Sequence, residues 1–373
     1  MHRNIARKIQ KQAAESLFQG KVLVIYGARQ TGKTTLARMI MKKQADTLYL
    51  NCDEIDVRQG LSGRTSTELA AMVRGYRLVV IDEAQRVENI GLTLKLFADN
   101  LLEVQVIATG SSAFELSDRI KESLAGRAIE FHLHPFSMEE LLQIQSRLEL
   151  SRLLQTRMIF GMYPEVVLSG DKGLLGRLAD STLYKDVMAY QGIRNHDAVL
   201  RLLQALALQI GSEVSYNELG SMVGIDKKTV ENYLSILEKA FVIFRLPPFS
   251  RNLRNELRKL RKIYFWDTGI RNALINNFNA LNLRSDKGAL FENFVISERM
   301  KRNSNLGVRK NCFFWRTHQQ KEIDYIEEEG GVLHGYEMKF TGKKYKPPKE
   351  FLDSYPGSTV ELISIETCLE FLL

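Results

Sequence analysis

Lys21-Val-Leu-Val-Ile-Tyr-Gly27-Ala-Arg-Gln-Thr-Gly32-Lys33-Thr34-Thr35 is the stretch that decides the fold. The apolar residues from Val22 to Tyr26, bounded by Gly27, predict a short buried strand, and the spacing of Leu36, Met39 and Ile40 predicts a helix after it. Between the two lies G-x-x-x-x-G-K-T, a phosphate-binding loop in the strand-to-helix context that the motif requires. Gly27 and Gly32 permit backbone conformations closed to other residues. The N–H groups from Gly27 to Thr35, those of Ala28, Arg29, Gln30 and Thr31 among them, can therefore wrap phosphate oxygens. The helix N-terminus adds partial positive charge. Lys33 is expected to reach the β- and γ-phosphates and Thr34 to ligate Mg²⁺, so ATP and Mg²⁺ are the expected ligands. A glycine-rich turn without function would not need both flanking elements.

Working outward, Thr47-Leu-Tyr-Leu-Asn predicts a second strand, and a helical pattern covers Ser66 to Arg74. Leu78-Val-Val-Ile-Asp82-Glu83 is an apolar strand ending in two carboxylates. Asp82 is expected to hold Mg²⁺ through water and Glu83 to polarise the attacking water as general base. A buried strand ending in one surface acid is common; two acids some 50 residues after a phosphate loop are not. Val104-Gln-Val-Ile-Ala-Thr109-Gly110-Ser111-Ser112 is a further buried strand. In RecA- and AAA-like sheets it lies between the phosphate-loop strand and the Asp82 strand, with its tip at the γ-phosphate, and Ser111 is the candidate there. Ala128 to His134 alternates as a fifth strand; His132 and His134 share a face without an acidic partner and are read as structural. Strands alternating with helices predict an α/β fold, a parallel sheet covered on both faces with ligand at the strands' carboxyl ends. Arg127, just before the fifth strand, is a candidate arginine finger acting on a neighbouring subunit, with Arg119 second. An ordinary sheet-edge arginine is the competing reading.

These motifs, together with Ile81-Asp-Glu-Ala-Gln85, Pro135-Phe-Ser-Met-Glu-Glu and Gly161-Met-Tyr-Pro164-Glu165, resemble a prokaryotic AAA-like ATPase family. That family joins its ATPase to a C-terminal domain of unknown function. The resemblance extends over nearly the whole chain and implies ATP binding far more strongly than a biological role. It implies a P-loop core over 1–137, a helical lid over 138–197, a winged helix over 198–265 and a restriction-endonuclease-like α/β domain over 266–373.

Composition agrees with an ordinary globular protein: 373 residues, 45% hydrophobic and 26% charged. That length suggests two or three domains. No apolar run reaches the ~18 residues of a membrane span. The basic start, Met1 to Lys11, leads into a helical pattern without a secretory core. Cys52, Cys312 and Cys368 offer neither a disulfide framework nor a zinc spacing, so a cytoplasmic location is expected. The net charge of +8 favours polyanionic partners. Much of it falls in Arg251 to Lys262, a run that can track phosphates or form a solvated helix face.

From Ser215 to Leu237 the spacing predicts a helix-turn-helix: Leu219, Met222 and Val223 face a core, Gly224 turns, and Val230, Tyr233, Leu234 and Leu237 form a second apolar stripe. Ser215 and Glu218 predict a capping box. Phe241 to Leu246 and Lys262 to Asp267 are the expected wing strands. Lys227, Lys228, Thr229 and Asn232 would meet DNA, opposed by Asp226 and Glu231; packing against protein is the other use of such a module.

In the last third, Asp324 on one strand and Glu337-x-Lys339 on its hairpin partner make the D…(D/E)-x-K arrangement, with Glu292 on the preceding helix. Residues 337 and 339 share a strand face. Asp324 and Glu337 would share Mg²⁺, and Lys339 would orient water. This pattern resembles the PD-(D/E)xK nuclease fold, which is retained in many proteins to bind without cutting. The expected function is therefore an ATP-hydrolysing protein acting on DNA, a homo-oligomer by analogy with its ATPase class. The alternative is a nucleotide-dependent switch that binds DNA or protein and cleaves nothing. A small-molecule kinase would also use the loop but leaves the acid pair and the C-terminal half unexplained.

Overall fold

The computed structural model describes residues 5–110, 123–182, 187–188, 193–249, 261–317, 319–342 and 344–373. Ser111, Arg119, most of the basic run (250–260) and Lys343 lie outside the described residues. The chain divides into two compact units, 1–135 with 239–241, and 136–238 with 242–373.

The first unit runs α1 (Ile9–Glu15), β1 (Val22–Tyr26), α2 (Lys33–Met41), β2 (Thr47–Asn51), α3 (Ile55–Leu61), α4 (Ser66–Met72), β3 (Leu78–Asp82), α5 (Ile90–Asn100), β4 (Gln105–Gly110) and β5 (Ala128–His132). The five strands form one parallel sheet in the order β2-β3-β4-β1-β5. β4 stands between β1 and β3, as expected from the sequence. β1 is apolar at every position because both its faces are covered. Val22, Val24 and Tyr26 pack with Leu61, Leu69, Leu94 and Phe97 on one side. Leu23 and Ile25 pack with Ile9, Ala13, Leu36 and Ile40 on the other. Phosphate loop, Asp82 and Thr109 all lie at the carboxyl ends of β1, β3 and β4. His132 and His134 pack edge-on against aromatic rings, His132 on Tyr26 and Phe241 and His134 on Phe241.

The second unit opens with α6 (Met138–Leu141), α7 (Arg147–Phe160), α8 (Pro164–Ser169), α9 (Leu174–Thr182) and α10 (His196–Leu208). The break at Gly161 is where Asp267 docks: its carboxylate accepts the Met162 amide at 2.7 Å, and a Cβ on Gly161 would stand 2.1 Å from Asp267 Oδ1. Then come β6 (Glu213–Val214), α11 (Tyr216–Val223), α12 (Lys227–Lys239), β7 (Ile243–Leu246) and β8 (Arg261–Phe265), the strands pairing antiparallel in the order β6-β8-β7. Gly224 is left-handed between the two helices, φ 77°. Leu219 and Val223 are buried as the periodicity predicts, but Met222 is 55% exposed. The capping box at Ser215 is half made, the Ser215 hydroxyl accepting the Glu218 amide at 3.5 Å. The unit ends with α13 (Thr268–Leu274), α14 (Lys287–Asn305), β9 (Asn311–Arg316), β10 (Glu322–Glu329), β11 (Val332–Lys339), α15 (Lys349–Ser354), β12 (Thr359–Ser364) and α16 (Cys368–Leu372). Its four strands form a mixed sheet, β12-β11-β10-β9, in which β12 alone pairs parallel.

Candidate functional site

The loop after β1 is held from several directions. Gly27 is required by close approach: a Cβ there would fall 2.1 Å from the Leu133 carbonyl oxygen. Gly32 is left-handed at φ 95° and starts α2, and Gln30 is also left-handed, φ 60°. Thr31 Oγ1 donates to the Ala28 carbonyl at 2.8 Å. The buried Arg7 guanidinium donates to the carbonyls of Thr31 and His134, both at 2.6 Å, tying the loop to the end of β5. Lys33 is buried, its ammonium on the carbonyls of Gly27 and Ala28 at 2.9 Å each. Arg29 is half-buried, and Gln30 and Thr35 are exposed.

Asp82 is the centre of the constellation. Thr34 Oγ1 lies 2.8 and 3.1 Å from its two oxygens. Tyr49 donates its hydroxyl to Oδ2 and Thr109 donates to Oδ1 in a short bond. Burial and then the hydrogen bond to Asp82 push the Tyr49 phenol up to about 12, so it stays a donor. Thr109 Oγ1 in turn accepts the Glu83 amide at 3.2 Å, aligning the second carboxylate. Glu83 itself is left-handed, φ 55°, a conformation uncommon for non-glycine residues. Its carboxylate accepts from Gln85 Nε2 at 2.6 Å. No sequence motif singles out Tyr49, Thr109 or Arg7. Thr109 stood in the quoted strand tip, whereas Arg7 bridges partners 24 and 127 residues away and left no local signal.

Arg127 sits at the opposite end of the sheet. Its carbonyl accepts the Val22 amide at the start of β1, and its side chain pairs with Asp99. A strand's length separates it from the phosphate loop, so it cannot touch the nucleotide of its own chain.

In the second unit, Asp324 and Glu337 stand opposite each other on β10 and β11, and Glu292 comes from α14. The structure brings these acids together as the sequence placed them, with Lys339 Nζ 3.6 Å from Glu337. Lys262, which the sequence groups with a phosphate-tracking run, is instead fully buried among the acids. Its Nζ lies 3.0 Å from Glu292 Oε1 and 3.2 Å from Asp324 Oδ1, and pairs also with Glu322. Burial would lower the Lys262 pKa, but Tyr264, Glu292, Asp324 and Glu322 around it hold it well above the ordinary lysine value. Burial, reinforced by the Asp324 charge, pushes Glu292 up to about 7 and Glu337 to about 8. Tyr264 donates to Glu292 at 2.6 Å, and Asp324 Oδ2 accepts the Met338 amide at 2.9 Å. The expected Mg²⁺ does not fit this arrangement. Both oxygens of Asp324 are engaged, one by an ammonium, and among the described residues no group of three or more His, Cys, Asp and Glu is arranged to hold a metal ion.

On the helix pair, Lys227, Lys228 and Asn232 are exposed. Thr229 is committed to Asp226, whose carboxylate caps α12 by accepting the amides of Lys228 and Thr229 at 2.9 and 3.1 Å.

Residues 19–142 match the family model of the AAA domain. This segment holds the P-loop and the strand-end acids and is similar to AAA-type P-loop ATPase domains. The AAA module is followed by matches to two domains of unknown function, DUF8612 over 151–281 and DUF4143 over 287–366. The chain is 26% identical over 366 residues to an uncharacterized protein of Methanocaldococcus jannaschii, covering 91% of this chain and 80% of that one. It is 27% identical over 340 residues to an uncharacterized protein of Mycobacterium tuberculosis, covering 87% and 72%. Among solved structures it is similar to a Walker-type ATPase of Pyrococcus abyssi, 17% identical with TM-score 0.47, covering 74% of this chain and 96% of that one. Among the described residues no helix is long and apolar enough to cross a membrane.

Proposed function

We propose that the chain is a nucleotide-dependent switch: the AAA module binds and hydrolyses Mg·ATP, and its nucleotide state governs engagement of DNA by the second unit without cutting it. The observation that carries the hydrolytic part is Asp82, held by the hydroxyls of Thr34, Tyr49 and Thr109, with Glu83 positioned by the same Thr109. Thr34 and Asp82 are suited to hold Mg²⁺, whose charge offsets that of the phosphate oxygens when it is bound. Lys33, the Gly27–Thr34 amides and the start of α2 bind the phosphates, and Glu83 takes the proton of the attacking water. Assembly into a homo-oligomer would let Arg127 act on a neighbour's nucleotide.

The DNA part rests on the α11–Gly224–α12 pair followed by the β7–β8 hairpin, a winged-helix order of elements, with Lys227, Lys228 and Asn232 exposed on α12. DNA-stimulated ATP turnover that disappears in Glu83→Gln supports the reading. Turnover indifferent to DNA, with no DNA binding lost in Lys227→Glu/Lys228→Glu, overturns its DNA part. A second reading, metal-dependent cleavage by the C-terminal sheet, is favoured by the proximity of Asp324, Glu337 and Lys339 and opposed by Lys262. Mg²⁺-dependent nicking of DNA, abolished by Asp324→Ala, would establish it.

A further inference from the structure

α2 begins at the phosphate loop with Lys33, and along its other end, facing α1 and the residues that lead into it, lies a hollow of about 730 Å³. That is the size of a ligand cleft. Its floor is apolar: Ile40 is buried and Met39 half-buried, while Ala6 and Ala14 are too small to fill the space over them. Its rim is basic. Lys42 and Lys43 are exposed there, whereas Glu15, the one carboxylate in the lining, faces Lys11 at 3.7 Å. Gln10 also lines the hollow. It is 8% exposed, yet its Oε1 has no hydrogen-bond partner among the described residues. A buried acceptor left unpaired is costly, and rotation about the last side-chain bond can turn it to a donor placed in the hollow. Arg7 stands in the same lining and carries its guanidinium to the Thr31 carbonyl of the phosphate loop at 2.6 Å. Whatever covers the hollow therefore bears on a side chain that holds the loop.

We infer that this hollow is the docking groove for an acidic amphipathic helix of a partner protein, and that its occupancy is linked to nucleotide binding through Arg7. α1 and α2 pack on each other through Ile9, Ala13, Leu36 and Ile40, and an apolar furrow beside two packed helices takes a third by its anchors at i, i+3, i+4 and i+7. Leucine-sized anchors fill the space over Ala6 and Ala14. An acidic flank answers Lys42 and Lys43. A tryptophan among the anchors brings Gln10 a single donor, the indole N–H, on an apolar body. A nucleic-acid backbone would answer the lysines but leave the apolar floor uncovered. Covering Arg7 restricts its motion and favours the loop geometry that receives phosphates, so helix and ATP should each raise the other's affinity by the same factor. The docking stands whatever the second unit engages; the link to Arg7 rests on nucleotide binding by the AAA module.

The test is fluorescence polarisation of the nucleotide-free full chain with a labelled peptide of about 14 residues, long enough for a helix to form on binding. It carries leucines and one tryptophan on one helical face and glutamates on the other. Saturable one-to-one binding is expected. Lys42→Glu/Lys43→Glu, a surface change that leaves the fold intact, should weaken it about tenfold or more. Gln10→Leu should weaken it several-fold even though removing an unpaired buried acceptor raises thermal stability, a combination that a purely structural glutamine would not give. ATP affinity should rise several-fold in the peptide complex. Absence of saturable binding overturns the docking, as does equal binding by the peptide with lysines in place of glutamates or by single-stranded DNA. ATP affinity unchanged by the peptide overturns the link to Arg7. A chain that takes the peptide but retains no ATP would sink the nucleotide reading and the link together, and would leave the docking established.

Discussion

Asp82 is oriented by three hydroxyls, and of these the Thr109 hydroxyl has two tasks. It donates to Asp82 and accepts the Glu83 amide, so one side chain sets both carboxylates. A hydrogen bond to a charged group contributes about 1.5–3 kcal/mol. Thr109→Val is therefore expected to lower ATP turnover about 10- to 100-fold while leaving nucleotide affinity within a few-fold, read by steady-state hydrolysis beside equilibrium ATP binding. Glu83→Gln keeps the loop and Asp82 intact but removes the base. Turnover should fall by roughly 10² to 10⁴ with ATP still retained. At Gly27 the demand is geometric, a Cβ meeting the Leu133 carbonyl at 2.1 Å, and Gly27→Ala should abolish ATP binding as the loop shifts to make room. The motif spacing alone identified Gly27, Lys33, Thr34, Asp82 and Glu83, because the phosphate loop and its acids are local patterns. Thr109 and Tyr49 could not be ranked the same way. A hydroxyl near a strand end is common, and which one meets Asp82 depends on the register of β3 against β4 and β2.

At the scale of elements, the helix pair α11–α12 shows where periodicity reaches its limit. Leu219, Met222 and Val223 share a stripe on paper, yet Met222 is 55% exposed while Leu219 and Val223 are buried. α11 ends at Val223 and the chain turns at Gly224, so the last turn presents a narrower buried face than a longer helix would. Met222→Gln should change unfolding stability by less than about 0.5 kcal/mol, whereas Leu219→Ala should cost about 2–4 kcal/mol. Chemical denaturation of the two variants distinguishes these. A comparable cost at Met222 would mean that its side chain is covered in solution. Lys262 fails in the opposite direction. Within a run of basic residues it looks like surface, and its burial reflects acids from α14 and β10 that no window around residue 262 contains.

At the scale of the molecule, charge again separates what is local from what is not. Glu327 on β10 is buried; burial opposes its charge, but bonds from Arg299 at 2.8 and 2.9 Å, Asn303 at 2.8 Å and Lys310 at 3.0 Å hold its pKa down to about 2. A carboxylate whose folded pKa lies below its unfolded value stabilises fully above the unfolded pKa, and that stabilisation is lost as pH falls through the folded one. The contribution, on the order of 3 kcal/mol, should therefore fade between about pH 4.5 and pH 2. The gap in thermal midpoint between wild type and Glu327→Gln is expected to shrink over that window; a gap constant with pH would show that the carboxylate charge is not what stabilises. Arg127 lies at the far end of the sheet from its own phosphate loop. If it serves a neighbour, Arg127→Ala chains should turn over ATP poorly alone and recover when mixed with Glu83→Gln chains, which supply the arginine but no base. Recovery absent at all mixing ratios would assign Arg127 to its Asp99 pair alone. The sequence by itself determined the parallel α/β sheet, the phosphate loop and the Asp82–Glu83 pair, because burial on both strand faces and phosphate chemistry each impose a short-range pattern. The tertiary structure alone decided which hydroxyls align those acids and that a lysine fills the C-terminal carboxylate pocket. Both depend on side chains brought together from separate strands and helices, where electrostatic pairing in a poorly solvated interior acts over distances in space that chain order does not record.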